Sequence, residues 1–197
     1  MPYNPDQHHR CSIRLQGWDY TSAGAYFITI CVKDHQCVFG RIADGTMHWN
    51  AWAYIVMGYW QNLPHRFPNI ALDTFVVMPN HVHFILWLNP SETQPHVGAQ
   101  FHCAPTNCAP TCYHTTSPIG RHFTLDKQRP SLGQVIRSFK AATARLIRKA
   151  GNDAFAWQRN YYERVIRDEE ELNQMRQYIL DNPANWANDK ENPDAIG

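Results

Sequence analysis

Two histidines separated by a single residue are the feature of this sequence with the clearest chemical potential. His81 and His83 flank Val82 at the start of the run His81–Leu88, whose apolar and aromatic residues predict a β-strand. Side chains alternate between the faces of a strand, so the two imidazoles point to the same side, about 7 Å apart along the strand. Two such imidazoles can bind one metal ion, although His-x-His pairs also occur as two half-exposed surface residues.

A tyrosine and an asparagine near the C-terminus form the second chemical feature. Tyr178 and Asn182 are four residues apart in a predicted helix that Asp168 begins and Pro183 ends. Residues with this spacing share one helix face. A tyrosine hydroxyl can act as a nucleophile and an amide oxygen can bind a metal, but the same residues also suit helix packing and helix termination. This second feature strengthens the interpretation of His81 and His83 as a metal site.

Strands and helices in mixed order must position these side chains. Only Pro79 and Asn80 separate a predicted strand at 72–77 from His81–Leu88, which indicates a tight hairpin. The other predicted elements are a strand at 25–32, a hairpin of 38–42 and 47–49, a helix at 51–63, a helix at Leu132–Lys149, and one or two strands within 155–167. This order predicts an α+β fold, an antiparallel sheet with helices packed mainly on one face.

Length and composition fit one globular domain with an insert. The chain has 197 residues, a net charge of +1 and no apolar run long enough to span a membrane. It shows no apolar N-terminal signal region, so we expect a cytoplasmic protein whose six cysteines are free thiols. We predict a single catalytic domain made of 1–88 and 131–187, a low-complexity insert or linker at 89–130, and a tail at 188–197. The Cys-x4-Cys-x3-Cys spacing in the insert favours tandem duplication over a zinc knuckle.

The predicted helix Leu132–Lys149 carries basic residues away from its apolar stripe. Arg137 and Arg148 lie on its far side, Lys140 lies nearer the edge of the stripe, and the helix has no acidic residue. Such a face is usually only solvated, but it can also bind phosphates. Further basic candidates for a phosphate-binding surface are Arg159 and, in the N-terminal arm, Arg14.

The motifs, in this order, resemble a known family. His81-Val82-His83, followed far along the chain by Tyr178-x-x-x-Asn182-Pro183, resembles the single-strand DNA transposases that carry a His-hydrophobic-His (HUH) motif and one catalytic tyrosine. Within that superfamily the chain resembles the REP-associated tyrosine transposases, with matching phrases at 24–31, 75–83, 157–163 and 178–186. The resemblance covers about residues 10–90 and 130–187.

This resemblance implies a fold, a cofactor and a reaction. It implies a ferredoxin-like sheet and a divalent metal, Mg²⁺ or Mn²⁺, bound by His81, His83 and Asn182, the last in a position that is often Gln in insertion-sequence relatives. Tyr178 would be the nucleophile that cleaves single-stranded or hairpin DNA, leaving a 5′-phosphotyrosine and a free 3′-hydroxyl. The protein would then work in the cytoplasm, associated with the nucleoid when bound to DNA, as a monomer or homodimer.

Several alternatives stay open from the sequence. Tyr161 and Tyr162 are rival nucleophiles, although their strand-like context suits base stacking or core packing better. A domesticated protein that binds hairpin DNA without efficient turnover would have the same motifs. A zinc-dependent hydrolase could use His81 and His83, but the sequence shows neither a convincing third acidic or histidine ligand nor a nearby glutamate base.

Overall fold

The elements of the fold follow one another as strands and helices in mixed order. The computed structural model describes residues 21–89 and 130–195. Its elements are β1 (Gly24–Cys31), β2 (Gly40–Ala43), β3 (Thr46–Trp49), α1 (Ala51–Gln61), α2 (Leu63–Arg66), β4 (Ile70–Val77), β5 (His81–Leu88), α3 (Leu132–Lys149), β6 (Tyr162–Ile166) and α4 (Glu169–Asp181), with 3₁₀ turns at Lys33–His35 and Trp186–Asn188. The predicted α+β class is confirmed.

Four of the strands form one antiparallel sheet in the order β4-β5-β1-β6. The helix α1 lies in the chain between β1 and β4, and α3 lies between β5 and β6. This is the β-α-β-β-α-β arrangement of ferredoxin-like folds, in which the two central strands come from the first and third positions of the chain. The hairpin of β2 and β3 forms a separate small sheet.

Helices α1 and α3 cover one face of the sheet. Trp60 of α1 stacks on Phe75 at 5.0 Å between ring centroids and lies 4.5 Å from Phe84, and Phe139 of α3 joins the same core. The bounds of α3 match the predicted ones because Ser131 accepts a hydrogen bond from the Gln134 backbone while the Gln134 side chain accepts one from the Ser131 backbone, a capping box.

Helix α4 covers the opposite face of the sheet. Its buried residues Leu172 and Ile179 pack with Phe27 of β1 and Ile85 of β5. Asp168 begins the helix by accepting a hydrogen bond from the backbone N–H of Glu171 at 2.8 Å. Helices therefore lie mainly, but not only, on one face of the sheet.

The structure differs from the predicted elements in a few places. The predicted helix 51–63 ends at Gln61, and Pro64 lies in the first turn of α2 rather than at a helix end, because proline is tolerated where the N–H needs no partner. Within 155–167 only β6 is a strand, and Trp157 forms an isolated bridge with Val32. The insert 89–130 lies almost wholly outside the described residues. No described helix is both long and apolar enough to span a membrane.

Candidate active site

His81 and His83 lie side by side on the α4 face of the sheet. Both are fully buried, and their Nε2 atoms are 2.9 Å apart. Strand β5 pairs with β1 so that Thr29 lies opposite His83, and the Thr29 hydroxyl is 2.8 Å from His83 Nδ1. The two imidazoles thus share one face of the sheet, as the alternation along the strand predicts. They lie in the interior of the protein rather than on a half-exposed surface.

The neighbouring Asn80 determines which nitrogen of His81 carries the proton. The Asn80 Nδ2 group donates to the backbone oxygens of His35 and Glu191, at 3.1 and 2.6 Å, so its orientation is fixed. Its Oδ1 must then accept the hydrogen bond from His81 Nδ1, at 2.8 Å. The His81 Nε2 lone pair is left facing His83, as a metal ligand requires.

Two buried oxygen atoms complete a set of metal-ligand donors. Asp189 Oδ2 lies 3.7 Å from His81 Nε2, and the ligand atoms of Asp189 and both histidines lie within 4.8 Å of one another. Within the described part of the chain, Asp189 Oδ2 and Asn182 Oδ1 are buried and have no hydrogen-bond partner. Unpaired buried oxygens are costly, and a divalent cation bound by two imidazole nitrogens and these oxygens would satisfy them. The residues present therefore fit a bound divalent metal.

Burial keeps both imidazoles neutral at physiological pH. Burial lowers the pKa of His81 to about 4 even though the Asp189 carboxylate opposes the shift, and burial together with His81 lowers the pKa of His83 well below its usual value. Neutral imidazole is the form that binds metals, so the two histidines need no deprotonation at pH 7 to act as ligands.

Tyr178 borders this site and is partly open to solvent. Its ring centroid lies 5.3 Å from that of His83 and 5.9 Å from that of Phe27, and the residue is 41% exposed. Burial raises the pKa of Tyr178, the charge of Asp189 raises it further, and a hydrogen bond from the Asn182 amide opposes both. The hydroxyl is therefore protonated at neutral pH and lies beside the donor set.

The rival tyrosines occupy different environments. Tyr161 packs against the core on the α1 and α3 side, with Lys140 6.0 Å from its ring centre. Tyr162 lies on the same sheet face as the histidines, 43% exposed and 6.3 Å from Phe27. Of the three tyrosines only Tyr178 is in ring contact with His83 in the described structure, and Tyr162 remains its one geometric rival.

An ion pair to the edge strand holds α4 in place. Arg176 donates to both carboxylate oxygens of Asp73, at 2.9 and 2.7 Å, and Trp87 Nε1 donates to the same carboxylate at 3.0 Å. Asp73 lies in a bulge of β4, where the pairing register with β5 shifts between Leu72 and Phe75. Helix α4, which carries Tyr178, is therefore held in place by the bulge, by Arg176 and by its own apolar contacts.

We expect Asp73→Asn to destabilise the fold in a pH-dependent way. Burial alone would raise the pKa of Asp73, but hydrogen bonds from Arg176, Trp87 and Thr74 lower it to about 2. A pKa below that of the unfolded chain stabilises the fold above about pH 4, and this contribution is lost as the pH falls toward 2. This pKa shift contributes about 2 kcal/mol to the free energy of unfolding at pH 7 and roughly half of that at pH 3.

Urea unfolding of wild type and variant at pH 7 and pH 3 measures this difference. The stability gap should narrow by about 1 kcal/mol at the lower pH. Asp153→Asn changes an exposed carboxylate and serves as the control. Its free energy of unfolding should equal that of the wild type at both pH values. If Asp73→Asn lowers the free energy of unfolding by the same amount at both pH values, the stabilising role of the ionised Asp73 is contradicted.

The basic residues of α3 do not form one free surface, because two of them, Lys140 and Arg148, hydrogen-bond to the backbone of another segment. Lys140 Nζ donates to the backbone oxygens of Gln158, Arg159 and Asn160, and Arg148 Nε donates to that of Phe155 at 2.8 Å. The two side chains hold the segment before β6, a contact that helical periodicity alone does not reveal. Changing them would disturb the fold as well as any DNA contact.

Arg137 and Arg159 remain exposed on this side of the molecule, where α3 covers the sheet face opposite the histidines. Arg14 lies outside the described residues. If these two exposed arginines bind DNA phosphates, Arg137→Gln with Arg159→Gln should reduce the slope of log K against log salt by about 1.4, at about 0.7 per phosphate of single-stranded DNA. Affinity for one hairpin oligonucleotide at several salt concentrations measures it, with Arg41→Gln on β2 as the control. An unchanged slope would mean that the phosphate-binding surface lies elsewhere.

One group of site residues was missed by sequence reasoning. Asp189 and Glu191 belong to the segment predicted to be a tail, and their positions relative to the motifs carry no local signal. The turn Trp186–Asn188 folds this segment back toward β5, where Trp186 lies 6.1 Å from the ring of His81. Only the structure brings the two acidic residues to the histidines.

The chain is similar to proteins of known sequence and structure. No protein-family model matches it. An uncharacterized protein of Haemophilus influenzae is 37% identical over 191 residues, which is 95% of this chain and 96% of the relative. The structure of a REP-associated tyrosine transposase bound to a REP hairpin is similar over 83% of this chain and 68% of that one, with 15% identity and a TM-score of 0.48. A candidate transposase from Deinococcus radiodurans R1 is similar over 85% of this chain and 95% of its own, with 16% identity and a TM-score of 0.44.

Proposed function

The chain belongs to one family with the Haemophilus influenzae protein, and we propose that it is a metal-dependent, transposase-type endonuclease and strand-transferase of single-stranded or hairpin DNA. The observation that carries this proposal is the ring contact of Tyr178 with His83, in a buried donor set that also contains His81 and Asn182. The contact between Tyr178 and His83 joins residues that are distant in sequence, and this supports the proposal.

The histidines and the buried oxygens would hold the metal. His81, His83 and Asn182 are the ligands implied by the resemblance, and Asp189 is the additional ligand suggested by the geometry. When bound, Mg²⁺ or Mn²⁺ would supply a Lewis acid for the scissile phosphate and offset the charge of Asp189. Thr29 and Asn80 hold the outer nitrogens of the two rings and so keep Nε2 of each directed at the site.

Tyr178 would carry out the bond exchange. Its oxygen forms a bond to phosphorus as the bond from phosphorus to the 3′-oxygen breaks, which leaves a 5′-phosphotyrosine and a 3′-hydroxyl. The phenol loses one proton and the departing 3′-oxygen gains one, so the exchange is balanced. One phosphodiester replaces another, and the step can be reversed to rejoin strands without ATP.

Tyr178 would act on the metal site of its own subunit, whether the protein is a monomer or a homodimer. Tyr178 of α4 contacts His83 of β5 directly, so no exchange of tyrosine helices between subunits is needed to complete the site. The catalytic unit would comprise 1–88 and 131–187, extended by the segment that carries Asp189. The insert 89–130 would lie outside this unit.

A hydrolase is the second candidate, because Asp189 supplies the acidic ligand that the sequence lacked. Two histidines and a carboxylate resemble the ligand sets of catalytic zinc sites, in which water rather than a tyrosine attacks. Such an enzyme would cleave without forming a covalent intermediate. A domesticated hairpin-binding protein would bind without cleaving.

One experiment separates these functions. The protein is incubated with end-labelled hairpin, single-stranded and duplex DNA, with Mg²⁺, with Mn²⁺ or with EDTA, and then analysed on a denaturing gel. We expect a covalent protein–DNA band with the hairpin and single strand that requires the metal. Cleavage without a covalent band would support the hydrolase, and binding without cleavage would support the domesticated binder; either result would overturn the proposal.

A further inference from the structure

A second group of ligand-type side chains lies beside the first site. Cys31 Sγ donates to Glu191 Oε2 at 3.4 Å, and His35 Nδ1 lies 3.2 Å from the same oxygen. The three ligand atoms lie within 4.8 Å of one another. Cys31 is buried, and the side chains of His35 and Glu191 are 39% and 16% exposed, so the group opens to solvent on the side of His35.

We infer that Cys31, His35 and Glu191 form a second metal site, of the type that binds Zn²⁺. A thiolate, an imidazole and a carboxylate are donors that Zn²⁺ and Co²⁺ accept together, whereas Mg²⁺ avoids sulfur. Ligand atoms about 2.0–2.3 Å from a tetrahedral zinc lie about 3.3–3.8 Å from one another, close to the observed contacts. The exposed side of His35 leaves a fourth position for water. The inference does not depend on the proposed function.

Neighbouring residues position these side chains as the outer partners of metal ligands do. The backbone N–H of Gln158 donates to the backbone oxygen of Cys31 at 2.9 Å, and the amide nitrogen of Gln158, Nε2, lies 2.8 Å from His35 Nε2. Metal binding at Nδ1 requires this amide to rotate by 180°, so that its oxygen accepts the proton of His35 Nε2 and leaves Nδ1 free. Asn80 donates to the backbone oxygens of both His35 and Glu191.

The backbone at His35 adopts a conformation that ordinary residues avoid. Asp34 and His35 have φ values of 57° and 51°, in the left-handed region, although neither is glycine. Two successive residues in this region are costly unless the surrounding structure holds them there. The turn that contains them directs His35 toward Cys31 and Glu191.

The second site would hold the first one together. Cys31 pairs with His81 across β1 and β5, and the backbone N–H of Glu191 donates to Asp189 Oδ1 at 2.7 Å. A metal that binds Glu191 to Cys31 and His35 therefore fixes the segment that presents Asp189 to His81. Zinc binding replaces the proton of the Cys31 thiol, so each bound ion releases one proton.

Cobalt is the probe for this site, because a thiolate bound to Co²⁺ gives a charge-transfer absorption that nitrogen and oxygen ligands do not. The other five cysteines, namely Cys11, Cys37, Cys103, Cys108 and Cys112, are replaced by serine in the full-length protein, so that Cys31 is the only thiol. We expect Co²⁺ to produce the thiolate band, which should saturate within the two equivalents that the two sites can bind, and Zn²⁺ to displace it. The thiolate band should disappear on Cys31→Ser.

Two further variants decide the ligand set. His35→Asn and Glu191→Gln keep the thiol and should weaken Co²⁺ binding, as judged by the thiolate band, by about 10-fold or more. His81→Ala removes a ligand of the first site only and should leave the thiolate band in place. Cobalt bound at the first site has no sulfur ligand, so a failure of one site is distinguishable from a failure of the other.

Two results would overturn the second metal site. A single-cysteine protein with the far-ultraviolet circular dichroism of wild type and no thiolate band at saturating Co²⁺ would exclude the site. A band unchanged by both His35→Asn and Glu191→Gln would show that Cys31 binds cobalt without these partners. If the single-cysteine protein does not fold, the thiolate band is instead compared between the wild-type protein and its Cys31→Ser variant.

Discussion

Replacing Tyr178 with phenylalanine abolishes the covalent protein–DNA adduct while affinity for the hairpin stays within about twofold, a change below 0.5 kcal/mol. The variant removes one hydroxyl and keeps the ring that contacts His83 and Phe27, so the fold and the donor set are retained. Loss of a nucleophile typically lowers turnover by about 10³-fold or more. Adduct formation on a denaturing gel and hairpin binding by fluorescence anisotropy measure the two effects.

Tyr162→Phe is the matched control for this change. It removes the hydroxyl of the one rival tyrosine on the same sheet face, which packs against the same Phe27. We expect this variant to form the adduct at a rate near that of wild type. Adduct formation by Tyr178→Phe, together with its loss in Tyr162→Phe, would assign the nucleophile to β6 instead of α4.

The second large effect is expected at the histidines. His81→Ala or His83→Ala should weaken Mn²⁺ binding by at least about 100-fold, since even the partners that orient a metal ligand contribute about 10–100-fold. Metal-dependent cleavage should be lost in parallel. Both rings are fully buried, so His83→Gln, which fills more of the space, is the companion variant where alanine destabilises the fold.

Calorimetric titration with Mn²⁺ measures binding independently of cleavage. His48→Ala, at an exposed histidine of β3, is the control and should bind Mn²⁺ as wild type does. Cleavage at an unchanged rate in excess EDTA would refute the metal requirement. Unchanged Mn²⁺ affinity in a folded His83→Gln protein would remove that histidine from the ligand set.

The remaining ligands can be ranked with the same titration. Asn182→Ala should weaken Mn²⁺ binding less than either histidine change, because a neutral amide oxygen is the weaker donor. Asp189→Asn removes a negative charge from the donor set, and we expect a larger loss of affinity than for Asn182→Ala. If Asp189→Asn has no effect, Asn182 is the third ligand alone, as the motif resemblance implies.

Local sequence signals account for what could be predicted of the fold and the site. The turn at Pro79 and Asn80 and the alternation along β5 determine that His81 and His83 share a face, and Pro183 ends the helix of Tyr178. The ferredoxin-like order of the strands followed from the motif resemblance, and the pairing of β1 with β5 and β6 confirms it.

Contacts between distant segments account for what could not be predicted. Asp189 reaches His81 only because the chain folds back after α4, and no spacing rule links residues on a strand to residues in a terminal turn. Lys140 looked free on a helical projection, yet its ammonium group is held by three backbone oxygens of the segment before β6. Periodicity shows which face a residue occupies but not which segment lies against it.

Mapping the DNA-linked tyrosine tests the central claim most directly. The adduct is digested with nuclease to leave a short nucleotide remnant and then with trypsin, and the modified peptide is identified by mass spectrometry. Cleavage after Arg176 and Lys190 yields the peptide 177–190, which contains Tyr178 as its only tyrosine, while Tyr161 and Tyr162 fall in the peptide 160–164. We predict the nucleotide mass on 177–190. Its presence on 160–164 would contradict the assignment of Tyr178 as the nucleophile and the function built on it.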